Sequence, residues 1–246
     1  MKQRFARVQM CVCMSVLLLA GCATGPNANP KDPLEPMNRS ISRFNDVLDD
    51  NVLKPAATGY KENVPDLVQT GVRNVFNNLS DIWSTVNNGL QLKGRDTAES
   101  FARVVVNTTV GIYGLFDVAS YLNLERHPED FGQTLGYWGM PSGPYVVLPL
   151  FGPSSVRDGV SSLGVDMPND PVKQIDHVPT RNATTVVRLV NKRASLLKAS
   201  DMLEEASLDK YAFTRDAYFQ YRRSQIYDGN PPDEDETDSS QAPSPR

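Results

Sequence analysis

Apolar residues recur at three- to four-residue spacing along most of this chain. Met37, Ile41, Phe44, Leu48 and Val52 predict an amphipathic helix, opened by Asp32 or by Pro36 and stopped by Pro55. Asn45 falls beside Phe44 on that stripe, where an amide is costly unless it is hydrogen bonded. The clearest stripe follows Val64-Pro65 and runs through Leu67, Val68, Val72, Val75, Phe76, Leu79, Ile82, Trp83, Val86 and Leu90, with a joint near Asn77-Asn78. Gly94 is the expected terminator, and Asp96-Thr97-Ala98-Glu99 reads as a capping box that starts the next helix. From Val104 to Leu124 the only charge is Asp117. Gly111 and Gly114 break that run into two short helices meeting at a hairpin bend, with Asp117 as a cap. Later helices are expected from Ser154-Ser155 toward Leu163, from Thr180 through Leu197, and from about Asp209 to Tyr227. Only Tyr145 to Leu150 reads as extended, so the fold is mainly α.

One stretch departs from this pattern. From Phe131 to Val156 there is no charge, yet five glycines alternate with Pro141, Pro144, Pro149 and Pro153 before Arg157 is reached. Proline lacks an amide donor and glycine gives up backbone order, so a continuous helix is excluded. The expectation is an apolar, non-helical wall containing Tyr137, Trp138, Gly143 and Tyr145. It could plug a soluble core, or stand beside lipid with its backbone covered by protein or a water-filled cavity.

The ends of the chain change the picture further. Lys2, Arg4 and Arg7 precede an apolar segment, Val8 to Ala20, that closes on Leu19-Ala20-Gly21-Cys22, a lipoprotein signal with Cys22 as the acylated residue. Cys11 and Cys13 leave with residues 1–21, so the mature chain holds no pair of thiols for a disulfide. Ala23 follows the modified position and favours the outer membrane of a Gram-negative envelope over the inner one. Residues 22–36 read as a tether, 37–229 as the folded domain and 230–246 as a disordered acidic tail. Cleavage takes three of the 25 Lys and Arg and none of the 29 Asp and Glu, and 22 against 29 leaves −7. An acidic chain with no basic-aromatic interleaving is not built for nucleic acid.

Catalytic signatures are missing. His127 and His177 are the only histidines, and no paired histidines or free thiols form a metal-ligand pattern. Gly139-Met140-Pro141-Ser142-Gly143 puts its serine off register for a nucleophile elbow. No nucleotide or dinucleotide fingerprint occurs. The expectation is a protein that is not an enzyme and carries no cofactor.

Several ordered blocks carry a resemblance. Asp32-Pro33-Leu34-Glu35-Pro36 with Asn38-Arg39, Phe44-Asn45, Leu53-Lys54-Pro55, Asn107-Thr108-Thr109, Phe131-Gly132-Gln133-Thr134-Leu135-Gly136, Gly143-Pro144-Tyr145 and Arg157-Asp158 resemble the VacJ (MlaA) lipoprotein family, from Asp32 to about Tyr221. The resemblance implies a ring-like bundle of amphipathic helices in the inner leaflet of the outer membrane, around an amphipathic channel. It further implies a porin trimer as companion, and phospholipid passed from the outer leaflet to a soluble periplasmic carrier of the Mla system. Within that scheme Phe44 and Asn45 are expected to set the channel's resting state. Gly111, Ile112, Tyr113 and Gly114 would form its moving part, and Tyr137, Trp138, Gly143 and Tyr145 its wall. A porin-organising scaffold or a phospholipase are the rival functions.

Overall fold

A computed structural model of the chain describes residues 29–232. The signal segment, Cys22 and the tail beyond Pro232 lie outside the described residues. Helix α1 (Glu35–Leu48) starts with Pro36 in its first turn, where a missing amide costs nothing. Asp32, assigned above to a cap or tether, does neither job. It is buried and accepts bonds from Asn38 Nδ2 at 2.9 Å and the Tyr211 hydroxyl at 2.6 Å. The folded body therefore begins before Met37.

Pro55 does not stop the chain. A π-helical turn, Asp49–Leu53, carries α1 into α2 (Lys54–Asn63), and Pro55 sits in the first turn of α2. Helix α3 (Asp66–Leu90) is continuous through Asn77-Asn78, so the expected joint is absent. Gly94 opens α4 (Gly94–Thr109) rather than closing α3, and no side chain caps α4. Helices α3 and α4 pack antiparallel across a three-residue loop, with Asn78 bonded to Thr108 and Asp81 to Arg103. A turn leads to the short α5 (Val118–Tyr121), which Asp117 caps by accepting from Ser120 N, as the sequence suggests.

The expected non-helical wall is partly helical. α6 (Phe131–Tyr137) forms because Asp130 caps it through Gln133 N. An antiparallel hairpin follows, β1 (Tyr145–Leu148) with β2 (Gly152–Ser155), paired from Tyr145↔Ser155 to Leu148↔Gly152. Ser155 caps α7 (Val156–Ser161), and a π turn and the short α8 (Met167–Asn169) lead on. The expected linker before Pro179 also holds a 3-10 turn, Pro171–Gln174. The long α9 (Val178–Ala206) starts two residues ahead of Thr180, and α10 (Lys210–Ile226) is capped by Asp209. No described helix is long and apolar enough to cross a membrane.

Two asparagines join α1 to the hairpin. β1 has β2 on one side only, which leaves backbone groups on its other edge to be satisfied. Asn38 donates to Tyr145 O and accepts from Val147 N, at 3.0 and 2.9 Å. Asn45 donates to Leu148 O and accepts from Leu150 N, at 3.0 and 2.8 Å. Seven helical residues rise about 10.5 Å, and three extended residues about 10 Å, so two amides seven apart match strand positions three apart. The cost expected of a polar Asn45 on an apolar stripe is met by these bonds. Replacing Asn38, which is 0 % exposed, strands buried groups. Asn38→Ala should cost about 2–4 kcal/mol and Asn45→Ala, at a more solvated edge, about 1–2 kcal/mol. Thermal unfolding of the detergent-solubilised variants checks that order, and an equal or reversed ranking would contradict the clamp.

Candidate functional site: a polar interior inside an apolar shell

Burial in this protein is inverted. Eight hydrophobic residues are buried among the described residues, against 22 polar or charged ones. On α3 the buried face is Gly71, Asn78, Asp81, Ser84, Asn87 and Asn88, while Leu67, Val68, Ile82, Val86 and Leu90 are exposed. On α4, Ser100, Arg103 and Asn107 are buried and Phe101 and Val105 are exposed. Water-soluble proteins bury the opposite set, and large exposed apolar patches mark contact with membrane or protein. The conventional apolar core is small. It consists of Ala57, Ala194 and Leu197 between α2 and α9, and of Tyr145, Val147 and Tyr211 between the hairpin and α10.

The buried polar groups are organised by ion pairs. Asp81 takes Arg126 at 2.7 Å and Arg103 at 3.5 Å, and Arg103 also reaches Asp117 at 2.9 Å. Burial pulls the Asp117 carboxyl upward, but bonds from Ser120, Asn107 and Arg103 hold it below the usual range. A second cluster fastens α6, α7 and α10 together: Arg222 bridges Asp130 and Asp158, and Asp158 also accepts from Arg157 Nε and the Tyr218 hydroxyl. Gly132 and Gly136 of α6 make room for it. A Cβ at Gly132 would stand 2.5 Å from Arg222 Nη2 and 2.6 Å from Asp158 Oδ1, and one at Gly136 2.9 Å from Arg157 Nη1.

Between α3, α6, the 3-10 turn and α9 lies a cavity of about 410 Å³, into which Arg126, Glu129, Asp166, Asp170, Arg188 and Lys192 contribute charge. A neighbouring cavity of about 280 Å³ shares Arg126, Pro128, Glu129, Gln133 and Gln225 with it and continues toward Asp228. Together they make one charged, partly open cleft. Asp166 accepts from Trp83 Nε1 and Phe131 N, and burial raises its carboxyl. Burial also raises Glu129, against the pull of Gln91 and Lys93. The larger cavity falls in the range of small-molecule sites, about 300–1,000 Å³.

None of the gating and wall residues singled out from the sequence lines this cleft. Phe44 is 55 % exposed on α1, and Asn45 binds the hairpin. Gly111 is a close-packing glycine: a Cβ there would meet Phe116 O at 2.2 Å. Ile112 and Tyr113 follow with φ of 52° and 55°, strained for side-chain-bearing residues, and Tyr113 is 80 % exposed. Gly114, at φ 85°, lies against Asn78 of α3. Tyr137 and Trp138 are exposed at the end of α6, where Trp138 Nε1 donates to Leu90 O. Gly143 lines a separate pocket beside Arg157. Tyr145 corrects the expectation for the wall. At 1 % exposure it packs on Tyr211, Tyr218 and Phe219 and supports the hairpin from inside. Cys22 lies outside the described residues. Glu99, Glu125 and His127 approach within 4.8 Å of one another, His127 bonding Glu99.

Residues 30–225 match the family described as MlaA lipoprotein. The chain belongs to the MlaA lipoprotein family. Among MlaA relatives, an Escherichia coli K12 protein named intermembrane phospholipid transport system lipoprotein MlaA is 35 % identical over 84 % of each chain. The Haemophilus influenzae protein of the same name is 30 % identical over 88 % of this chain and 89 % of its own. An uncharacterized protein of Rickettsia bellii is 37 % identical over 79 % and 76 %. A solved structure from work on the structural basis for maintenance of bacterial outer membrane lipid asymmetry superposes with a TM-score of 0.69 at 33 % identity, covering 81 % of this chain and 99 % of that one. The mainly helical MlaA fold is thus shared.

Asp158 makes the ion network testable. Burial would raise it, but the Arg157 bond, the Arg222 charge and the Tyr218 bond bring it down to about 2 from an ordinary 3.8. A depressed carboxyl stabilises the fold above its unfolded pKa and loses that contribution as pH falls through the folded value. The excess stability of the wild type over Asp158→Asn should therefore be full above about pH 5 and shrink between about pH 4 and pH 2. Thermal scans of both proteins across that window check it, and a gap independent of pH would contradict the pairing.

Proposed function

We propose that this chain is the outer-membrane component of an intermembrane phospholipid transport system, removing phospholipid from the outer leaflet through its polar interior. Cys22 is the acylated anchor, residues 23–31 its tether, and the apolar faces of α3 and α4 lie in the inner leaflet. A porin trimer is the companion in the membrane, and a soluble periplasmic carrier takes the lipid onward. The observation that carries the reading is the inversion of burial, an apolar outside around a charged cavity.

The physical problem is the head group. Moving its charges through hydrocarbon costs several kcal/mol or more, whereas the acyl tails have no such barrier. A passage lined by Arg126, Arg188, Lys192 and acidic partners offers the phosphate and its substituent replacements for water, while the tails stay in lipid. Such a device needs no bond-making, so the protein acts as a conduit rather than an enzyme. Direction comes from the carrier's affinity. Phe44 and Asn45 set the resting state through the hold of α1 on the hairpin. The turn 110–116 is the moving part: its strained φ angles at Ile112 and Tyr113 store energy that a second arrangement would release.

The turn can be locked. A Cβ at Gly71 would lie 3.5 Å from Leu115 Cγ, so in Gly71→Cys with Leu115→Cys the second sulfur takes the place of that carbon, within bonding reach. Surface-exposed phospholipid is then measured in a deletion strain carrying either form. The wild type should clear it, and the double variant should fail when oxidised and recover on reduction at unchanged protein level. A deletion strain with normal porin and no surface phospholipid would replace the transport reading by the scaffold one. A formed crosslink that leaves clearance intact would make the turn a static strut.

A further inference from the structure

A second cavity, of about 640 Å³, lies away from the passage, between the Ser142-Gly143 turn, α7 and the end of α10. Its charged lining is Lys31, Arg157, Arg222 and Arg223 against one acid, Asp216, which already pairs with Arg215 at 2.8 Å. Asp130 and Asp158 stand behind Arg222 and consume it: Nε and both Nη atoms of Arg222 bond to these two carboxylates. Arg222 therefore offers neither free donors nor an unbalanced charge.

Arg157 is different. A guanidinium carries five N–H groups. Arg157 spends Nε on Asp158 at 2.8 Å and one Nη1 hydrogen on Met140 O at 3.0 Å. Its Nη2 is buried with no partner, on a residue only 6 % exposed. A buried, unpaired guanidinium nitrogen is costly, so such groups are rare without a ligand to meet them. Lys31 makes no ion pair among the described residues, although its carbonyl, accepting from Tyr145 N at 2.8 Å, fixes the residue in place. The hydroxyl of Ser142 and the amides of Ser142 and Gly143 likewise have no protein partner among the described residues.

We propose that this cavity is a phosphate site, in which Arg157, Lys31 and Ser142 bind a phosphate oxyanion. A planar guanidinium fork fits phosphate oxygens in pairs, and an ammonium adds a point charge. The cavity exceeds the volume of the ion, and Phe219, Ile226 and Tyr227 give its remaining wall an apolar character. That combination suits a phosphodiester whose substituent leaves over apolar surface, as in a phospholipid head group; free phosphate offers the same oxyanion. The Arg157-Asp158 pair singled out in the sequence thereby gains a role the passage does not use. The proposal stands apart from the transport reading, since binding here is measured whether or not lipid moves.

The test uses the full chain in maltoside, free of phosphate. Inorganic phosphate should raise the unfolding temperature saturably, while chloride at matched ionic strength does not. Lys31→Gln with Ser142→Ala, both at the rim, should leave the phosphate-free unfolding temperature unchanged and weaken phosphate roughly tenfold, the factor for a loss of about 1.4 kcal/mol. Phosphatidylglycerol in the micelles displacing phosphate assigns the site to lipid, and failure to displace it assigns the site to the free anion. Equal shifts with phosphate and chloride, or an unweakened double variant, would overturn the proposal.

Discussion

Most buried polar side chains among the described residues are met by partners inside the protein, and that requirement shapes the rest of the structure. With so little apolar core, the helices are held by ion pairs and amide bonds rather than by hydrophobic burial. In a medium of low dielectric such bonds are stronger, and a missing partner is correspondingly costly. The Asp81–Arg103–Asp117 and Asp130–Arg222–Asp158 clusters thus do work that Leu and Val do elsewhere. Each ties together elements distant in sequence. Arg222 alone joins α10 to the start of α6 and to α7.

The same requirement explains the charged cavity. A protein that turns its polar faces inward gathers charge around whatever space its helices enclose. Arg126 serves both roles, bonding Asp81 in the structural network while lining the cavity. Arg188 pairs with Asp170 on the opposite side of the same space. The wall of that space and the scaffold that keeps the wall in place are made from one set of residues.

The helices were legible because their apolar residues recur at helical spacing, and the bounds of the last helix match the reading closely. Periodicity finds a stripe but is blind to whether the stripe faces in or out. Proline misled at Pro55, because a first-turn position tolerates it and a π turn carries the chain up to it. The glycine-rich wall concealed α6, whose seven residues are too few for periodicity and whose glycines serve close packing against Arg222 and Arg157. Asn45 was recognised as needing a partner, while the matching role of Asn38 depends on strand spacing that only the folded chain reveals. The cavity residues escaped because Arg126, Asp166, Asp170 and Arg188 are scattered along the chain and each looks like an ordinary surface charge.

The central claim is that the exposed apolar faces of α3 and α4 meet lipid and the charged faces do not. Nitroxide labels placed singly at Ile82, Val86, Phe101 and Val105 in proteoliposomes read this directly, through collision with oxygen, which concentrates in hydrocarbon, and with a water-soluble nickel complex. The account predicts high oxygen and low nickel accessibility at all four positions, with the reverse at exposed Lys198 and Glu205 of α9. Nickel accessibility at the four apolar positions equal to that at Lys198 would place those faces in water and contradict it.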